Sequence, residues 1–279
     1  MLAQRVVTAL VLLALLLPAL FASAAWPFAL LTLLLISAAA WEWARLNGGA
    51  SLACLAFSAL LACACAAALA AGWTRHAPPL VWWLATLVWV LGGAWALKAG
   101  PAGWPALTLS GRWALGFLAL WTAWLALASA RVLGINFILS VFCLVWAADI
   151  AAYFGGRAFG KRKLALSISP GKSWEGVWSG MLGVVLLAFV WLAFDRSGRG
   201  DSISLYTRLL DAHGVVGLVL VLVFLSAMSV VGDLVESLVK RSAGAKDSSG
   251  LLPGHGGVLD RVDALLPVFP LALAMISLK

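Results

Sequence analysis

Apolar residues arrive along this chain in long blocks, not in the alternating pattern of a membrane barrel. Nine blocks can be drawn, at about residues 6–22, 27–45, 51–72, 79–97, 105–130, 134–154, 176–194, 213–232 and 258–277. A helix that crosses a bilayer needs ~20 predominantly apolar residues, and backbone groups in lipid must be satisfied within the segment. The blocks meet both demands as helices. The predicted fold is therefore all-α, a polytopic integral membrane protein of about nine transmembrane helices. Ser110-Gly111-Arg112 interrupts the fifth block, so that span is expected to begin at Trp113. Trp26, Trp73, Trp82 and Trp104 stand near block ends, where interfacial anchors belong.

Composition agrees. Hydrophobic residues make up 64% of the 279 positions and charged residues 11%, against ~25% charged in a soluble protein. The first block follows Arg5 and ends in Ala22-Ser23-Ala24-Ala25, the outline of a secretory signal. With more blocks behind it, it is read as a retained anchor. Cys54, Cys63, Cys65 and Cys143 all lie inside apolar blocks without C-x-x-C spacing, and read as packing residues.

The formal charge of +8 would suggest nucleic acid in a soluble protein; here it sets topology, and no nucleic-acid partner is expected. Arg157, Lys161, Arg162, Lys163 and Lys172 follow block six, and Lys240, Arg241 and Lys246 follow block eight. Basic loops stay cytoplasmic. With nine spans, Arg5, Arg45 and Lys98 join them, the amino terminus is cytoplasmic and the carboxyl terminus is outside. The loop after block seven, with Arg196, Arg199 and Arg208 balanced by Asp195, Asp201 and Asp211, falls outside.

The halves differ. Residues 1–132 hold about five spans, and Glu42 is the only acid before Asp149. Residues 133–279 carry the chemistry, with cytoplasmic loops expected over 155–175 and 234–257. Ionisable residues at membrane depth are costly and mark function. Asp233, Glu236, Ser237 and Lys240 share one helical face by spacing, and Asp260 and Asp263 share another. Between them lie Lys246-Asp247 and Pro253-Gly254-His255-Gly256-Gly257. Read singly, Asp233 and Lys240 would be a charge pair at a membrane edge, and Asp260 would pair with Arg261 or a loop lysine. Taken together, carboxylates suit Mg²⁺ with substrate phosphates, glycines let backbone N–H groups approach phosphate, and lysines neutralise charge. That is the equipment of phosphate-group transfer. His255 is either a phosphate contact or a loop-shaping hydrogen-bond partner.

The other loop runs from Asp149 and Tyr153 through Arg157 to Gly171-Lys172-Ser173-Trp174-Glu175. Gly155 to Lys161 fits G-x-x-x-x-G-K, but Arg162 replaces the Ser/Thr and a membrane helix precedes it, so no P-loop is assigned. The stretch reads as a basic, flexible segment for an anionic substrate.

Ser237 to Asp263 resembles the defining motif of the phosphatidate cytidylyltransferases. Its pattern, S-x-Φ-K-R, four residues, K-D-x-(small)-x₂-Φ-P-x-H-G-G-Φ-x-D-R-Φ-D, is matched throughout. Residues from Asp149 through Gly176 resemble the family's second conserved region, with Gly171 and Ser173 departing from the usual basic or amide residue and Thr. The resemblance covers about residues 149–263. It implies a multi-pass enzyme of the cell inner membrane, working at the cytoplasmic face on CTP and phosphatidic acid within the lipid bilayer. It implies Mg²⁺, with a monovalent cation such as K⁺ alongside, and a homodimer. Asp233 and Asp260 would be metal ligands, and Asp263, Asp247, Lys240 and Lys246 would support catalysis. Substrate contacts would come from Arg157, Lys172, Arg241, His255, Gly256, Gly257, Ser237, Glu175 and Asp149. Two other readings are a CTP-dependent polyprenol or phytol kinase and a transporter; a transporter predicts acids deep within spans, whereas these cluster at span ends.

Overall fold

The structure is a computed structural model and describes residues 2–277. In chain order its helices are α1 (Leu2–Phe21), α2 (Trp26–Leu46), α3 (Ser51–Ala70), α4 (Trp73–His76), α5 (Pro79–Leu87), α6 (Gly93–Gly103), α7 (Leu109–Leu133), α8 (Ile135–Phe159), α9 (Trp174–Arg196), α10 (Leu205–Ser242), α11 (Leu259–Val262) and α12 (Leu265–Ser277). Two short strands, β1 (Lys163–Ala165) and β2 (Ser169–Ser173), lie between α8 and α9. Among the described residues, eight helices are long and apolar enough to cross a membrane. The protein is an all-α polytopic membrane protein.

Several boundaries differ from expectation. Thr108 caps α7 by accepting the Gly111 N–H at 3.2 Å, so Ser110-Gly111-Arg112 forms the first turn of that helix instead of delaying it to Trp113. The fourth crossing is one run, Pro79–Ala106, in which α5 and α6 are joined through a π turn at Val88–Gly92. The eighth block grows into a 38-residue helix, kinked at Gly214 (φ 67°), that continues to Ser242. Residues 234–242, expected in a loop, are thus its last turns. The ninth block is divided: α11 is one turn, and α12 has 13 residues with Pro270 inside.

The described residues show one contiguous apolar core, built from α2, α7, α8, α10 and α12 around Trp124, Phe137 and Phe269. Outward residues such as Leu52 (80% exposed) and Val216 (73% exposed) remain apolar, as lipid-facing residues must. Helices α8 and α9 pack through small residues. A Cβ on Gly180 would sit 2.8 Å from the Ala148 carbonyl oxygen, so glycine there permits the close approach common between membrane helices.

One end of the bundle is polar and well braced. Asp201 accepts the Ile135 and Asn136 N–H groups at 2.7 and 2.8 Å, capping α8. Asn136 donates to Asp195 and to the Ser202 carbonyl, and accepts the Trp191 Nε1–H. Arg131 donates to the Leu20 and Ala22 carbonyls, tying in the end of α1. The opposite end, where α2, α8 and α10 finish and α9 begins, carries the residues of interest.

Candidate functional site

The stretch after α8, expected to be flexible, is an ordered antiparallel hairpin. Lys163 pairs with Ser173 and Ala165 with Ser169, and the Trp174 N–H donates to the Arg162 carbonyl at 2.9 Å. Gly155 and Gly156 belong to the last turns of α8, which agrees with the rejection of a P-loop. Ser173 caps α9 by accepting the Gly176 N–H at 3.2 Å, a task that Thr also performs. Nothing lies within 4 Å of a Cβ built on Gly171, so a side chain fits there without strain. Glu175 accepts the N–H groups of Lys161 and Arg162 and pairs with the Arg162 guanidinium. It braces the hairpin through its own chain.

Beneath the hairpin lies an open cavity of ≈ 610 Å³, bounded by the inner ends of α8, α9 and α10. Asp149, Tyr153, Arg157, Lys172 and Asp233 supply its polar wall, and Ala152, Val177 and Val230 its apolar one. Lys172 Nζ lies 2.5 Å from Asp233 Oδ2, both side chains being about one-third exposed or less. Ser237 donates to Asp233 Oδ1 at 3.3 Å, and Arg157 to the Tyr153 hydroxyl at 3.4 Å.

Helix α10 approaches the α11–α12 junction so closely that a Cβ on Gly232 would lie 2.5 Å from the Asp263 carbonyl oxygen. That contact sets Asp233 and Asp263 beside each other. Asp263 is near enough to Asp233, Lys172 and Lys240 to feel their charges, and Glu236 likewise feels Asp260 and Asp263. Lys240 Nζ lies 2.6 Å from Glu236 Oε2 and 2.6 Å from Asp260 Oδ1. Lys240 faces Glu236 Oε2, and among the described residues Glu236 Oε1 meets no donor. Asp233, Asp263, Glu236 and Asp260 therefore lie along one run of carboxylates, with Lys172 on Asp233 and Lys240 between Glu236 and Asp260.

A second hollow, of ≈ 680 Å³ and mostly polar, lies along the glycine-rich loop. Arg5, Lys246, Asp247, His255, Gly256 and Arg261 line it. Asp260 organises this loop from below. Its Oδ2 accepts the Ser248 N–H at 2.9 Å, the Ser248 hydroxyl at 2.9 Å and the Gly257 N–H at 2.8 Å. Burial works against the charged carboxyl, but these donors and Lys240 outweigh it and hold the Asp260 pKa down at about 2. Gly256 has φ +85°, and a Cβ on it would lie 2.6 Å from Asp260 Oδ2. Sequence reasoning gave these glycines to phosphate approach; at least one of their uses is to admit the protein's own carboxylate. Arg241 donates to the Ile168 and Ala245 carbonyls, linking the hairpin to the end of α10.

Residues 3–279 match the model of the Cytidylyltransferase family. The chain belongs to that family. Across 291 aligned residues it is 40% identical to the phosphatidate cytidylyltransferase of Pseudomonas aeruginosa, covering 99% of this chain and 97% of that protein. It is 50% identical over 137 residues to the phosphatidate cytidylyltransferase of Haemophilus influenzae, which is 49% of this chain and 44% of that one. With the one from Brucella suis it shares 43% identity over 164 residues, 59% of this chain and 53% of that one.

For a cytidylyltransferase, the donor set suits a hard divalent ion in chemistry: every candidate ligand is a carboxylate oxygen. Among the described residues no three His, Cys, Asp or Glu side chains converge tightly enough to hold an ion alone. Lysine ammonium groups now stand on Asp233 and Asp260, the positions a cation would share.

Residues of the first half were not foreseen at this site. Glu42 of α2 accepts hydrogen bonds from Ser248, Ser249, Val258 and Leu259. Arg45, one turn on, donates to the Ser248 carbonyl. Thr8 of α1 donates to the Pro253 carbonyl at 2.9 Å. The sole sequence signal was the isolation of Glu42 as the one acid in the first 148 residues.

Proposed function

We propose that the protein transfers CMP from CTP to phosphatidic acid, giving CDP-diacylglycerol and pyrophosphate. The observation that carries the reading is the alignment, over 97% of its length, with a phosphatidate cytidylyltransferase. The geometry supports it. The cavity beside Arg157 and Lys172 has one charged wall and one apolar wall, which suits the phosphate and glycerol end of a lipid entering from the bilayer. The polar hollow beside Lys246, His255 and Arg261 suits a triphosphate. The carboxylate and lysine chain runs between them.

In the reaction, an oxygen of the lipid phosphate forms a bond to the α-phosphorus of CTP, and the bond from that phosphorus to the bridging oxygen breaks. The electron pair leaves with pyrophosphate. The attacking phosphate is already ionised, so no strong base is required. The work of the site is alignment of two anions and cancellation of their repulsion. Lys172 and Arg157 hold the acceptor phosphate; Lys240, Lys246 and Arg241 offset charge near the leaving group. Mg²⁺, when bound, supplies further charge neutralisation, with Asp233 and Asp260 as its ligands, Asp263 and Asp247 in support and a monovalent cation such as K⁺ alongside. Asp149 sits on the lipid side of the cavity, and Ser237 orients Asp233.

The same proposal places this end of the bundle in the cytoplasm of a bacterial inner membrane, with the amino terminus inside. Arg5, Arg45, Arg157, Lys161, Lys240 and Lys246 gather there, as cytoplasmic ends do. A homodimer is part of the proposal by family likeness.

Purified protein given CTP, phosphatidic acid and Mg²⁺ is expected to release pyrophosphate and form a lipid-linked CMP. Release of CDP with a phosphorylated lipid alcohol would replace this reading with a lipid kinase.

A further inference from the structure

Glu42 is fully buried, and it is the one acid in a helix whose only other charged residue is Arg45 in the last turn. A carboxylate in such a place is costly unless donors surround it. Four do. Oε1 accepts the Ser249 hydroxyl and, at 3.0 Å, the Val258 N–H; Oε2 accepts the Leu259 N–H at 2.7 Å and, at 3.2 Å, shares the one Ser248 hydroxyl hydrogen with Asp260 Oδ2. No lysine or arginine pairs with it among the described residues.

These donors lie at the two ends of one segment. Ser248 and Ser249 open the glycine-rich loop; Val258 and Leu259 close it. Glu42 therefore staples the base of the loop that carries Pro253 to Gly257, and Arg45 adds a hydrogen bond to the same base. Asp260 grips Ser248 and Gly257 from the other side. Gly257 lies between the two carboxylates, and a Cβ there would meet Glu42 and Ser248.

We propose that Glu42 is a positioning residue for the nucleotide: from the motif-free half of the chain, it fixes the spacing of the loop that receives the triphosphate. The proposal rests on the functional reading above. It specifies a selective effect. The loop borders the polar hollow, whereas the lipid cavity is walled by α8, α9, α10 and the hairpin, which Glu42 does not touch. Loss of Glu42 should weaken CTP and spare phosphatidic acid. A residue that served only folding would lower stability without separating the two substrates.

Glu42→Gln tests this with minimal change in size, because the amide must turn an N–H toward one of the loop's own donors. Steady-state turnover is measured in detergent with CTP and phosphatidic acid varied separately. Leaving one buried donor unpaired is expected to raise KM for CTP about tenfold, with KM for phosphatidic acid within about twofold of wild type. Ser249→Ala, which removes one of the four donors from the surface side, should raise KM for CTP about threefold with the same selectivity. If Glu42→Gln does not fold, Ser249→Ala decides alone. Unchanged KM for CTP, or equal rises for both substrates, in an active background overturns the positioning role and leaves the reaction standing. A wild type with no turnover overturns the reaction, and the positioning role with it.

Discussion

Lys240 offers the sharpest test of the buried charge chain. Among the described residues its ammonium group is the only cation paired with Glu236; it also holds Asp260, at 2.6 Å in each case, and the two carboxylate side chains are 2% and 6% exposed. Lys240→Met keeps the aliphatic reach and deletes the charge. Breaking a buried ion pair from one side costs ~3–5 kcal/mol. Asp260 keeps its donors from Ser248 and Gly257, and Glu236 can take up a proton, so the low end, ~3 kcal/mol, is expected. At ~2–4 °C per kcal/mol for a chain near this size, the unfolding temperature should fall by ~6–12 °C. Tryptophan fluorescence during heating in detergent reads it directly. Adding Glu236→Gln to Lys240→Met should recover more than half of that loss, since a neutral amide needs no counter-charge. A single variant within about 2 °C of wild type, or a double variant less stable than both singles, would refute the coupling.

Other outcomes follow from the same geometry. Gly257→Ala should cut turnover by more than about tenfold and lower stability, because its Cβ would displace Ser248 and Glu42, and overpacking costs ~1–3 kcal/mol; a wild-type rate would contradict the tight packing. Asp233→Asn should abolish turnover yet shift the unfolding temperature little, since a partly exposed pair contributes ~0–1 kcal/mol; retained turnover would remove Asp233 from the reaction. At the far end of the bundle, burial opposes the charged Asp201 carboxyl, but the Ile135 and Asn136 N–H groups prevail and hold its pKa below the ordinary value. A carboxyl depressed on folding adds stability above its unfolded pKa of ~3.9 and loses it as pH falls toward the folded value. The stability gap between wild type and Asp201→Asn should therefore be constant above about pH 5 and close on acidification below about pH 4; a gap that widened in acid would contradict the cap.

The all-α, many-span character was readable because apolar block length is a strong signal in a chain with so few charges; the count was not, since nine blocks became eight span-length helices among the described residues. The boundaries that slipped have local causes. Thr108 can cap a helix through Ser110-Gly111-Arg112, and the turns after Asp233 stay helical because Leu234, Val235, Leu238 and Val239 bury one face between the polar residues. The hairpin was missed because Pro170-Gly171 reads as a loop, while its order comes from Glu175 and the Arg162 carbonyl. Candidate site residues were legible where polar groups recur at helical spacing, as from Asp233 to Lys240. The division into a cavity beneath the hairpin and a polar hollow along the glycine-rich loop was not, because it depends on how α10 meets the α11–α12 junction at Gly232. Glu42 was invisible for the same reason: its partners lie more than 200 residues away.

The decisive measurement follows the phosphorus atoms. Protein incubated with phosphatidic acid, Mg²⁺ and CTP labelled at either the α- or the γ-phosphorus is extracted into organic solvent. The α-label should pass into the lipid phase and the γ-label remain in water as pyrophosphate, with neither moving in Asp233→Asn. A γ-label in the lipid, or an α-label that stays wholly in water with the wild type, would contradict cytidylyl transfer.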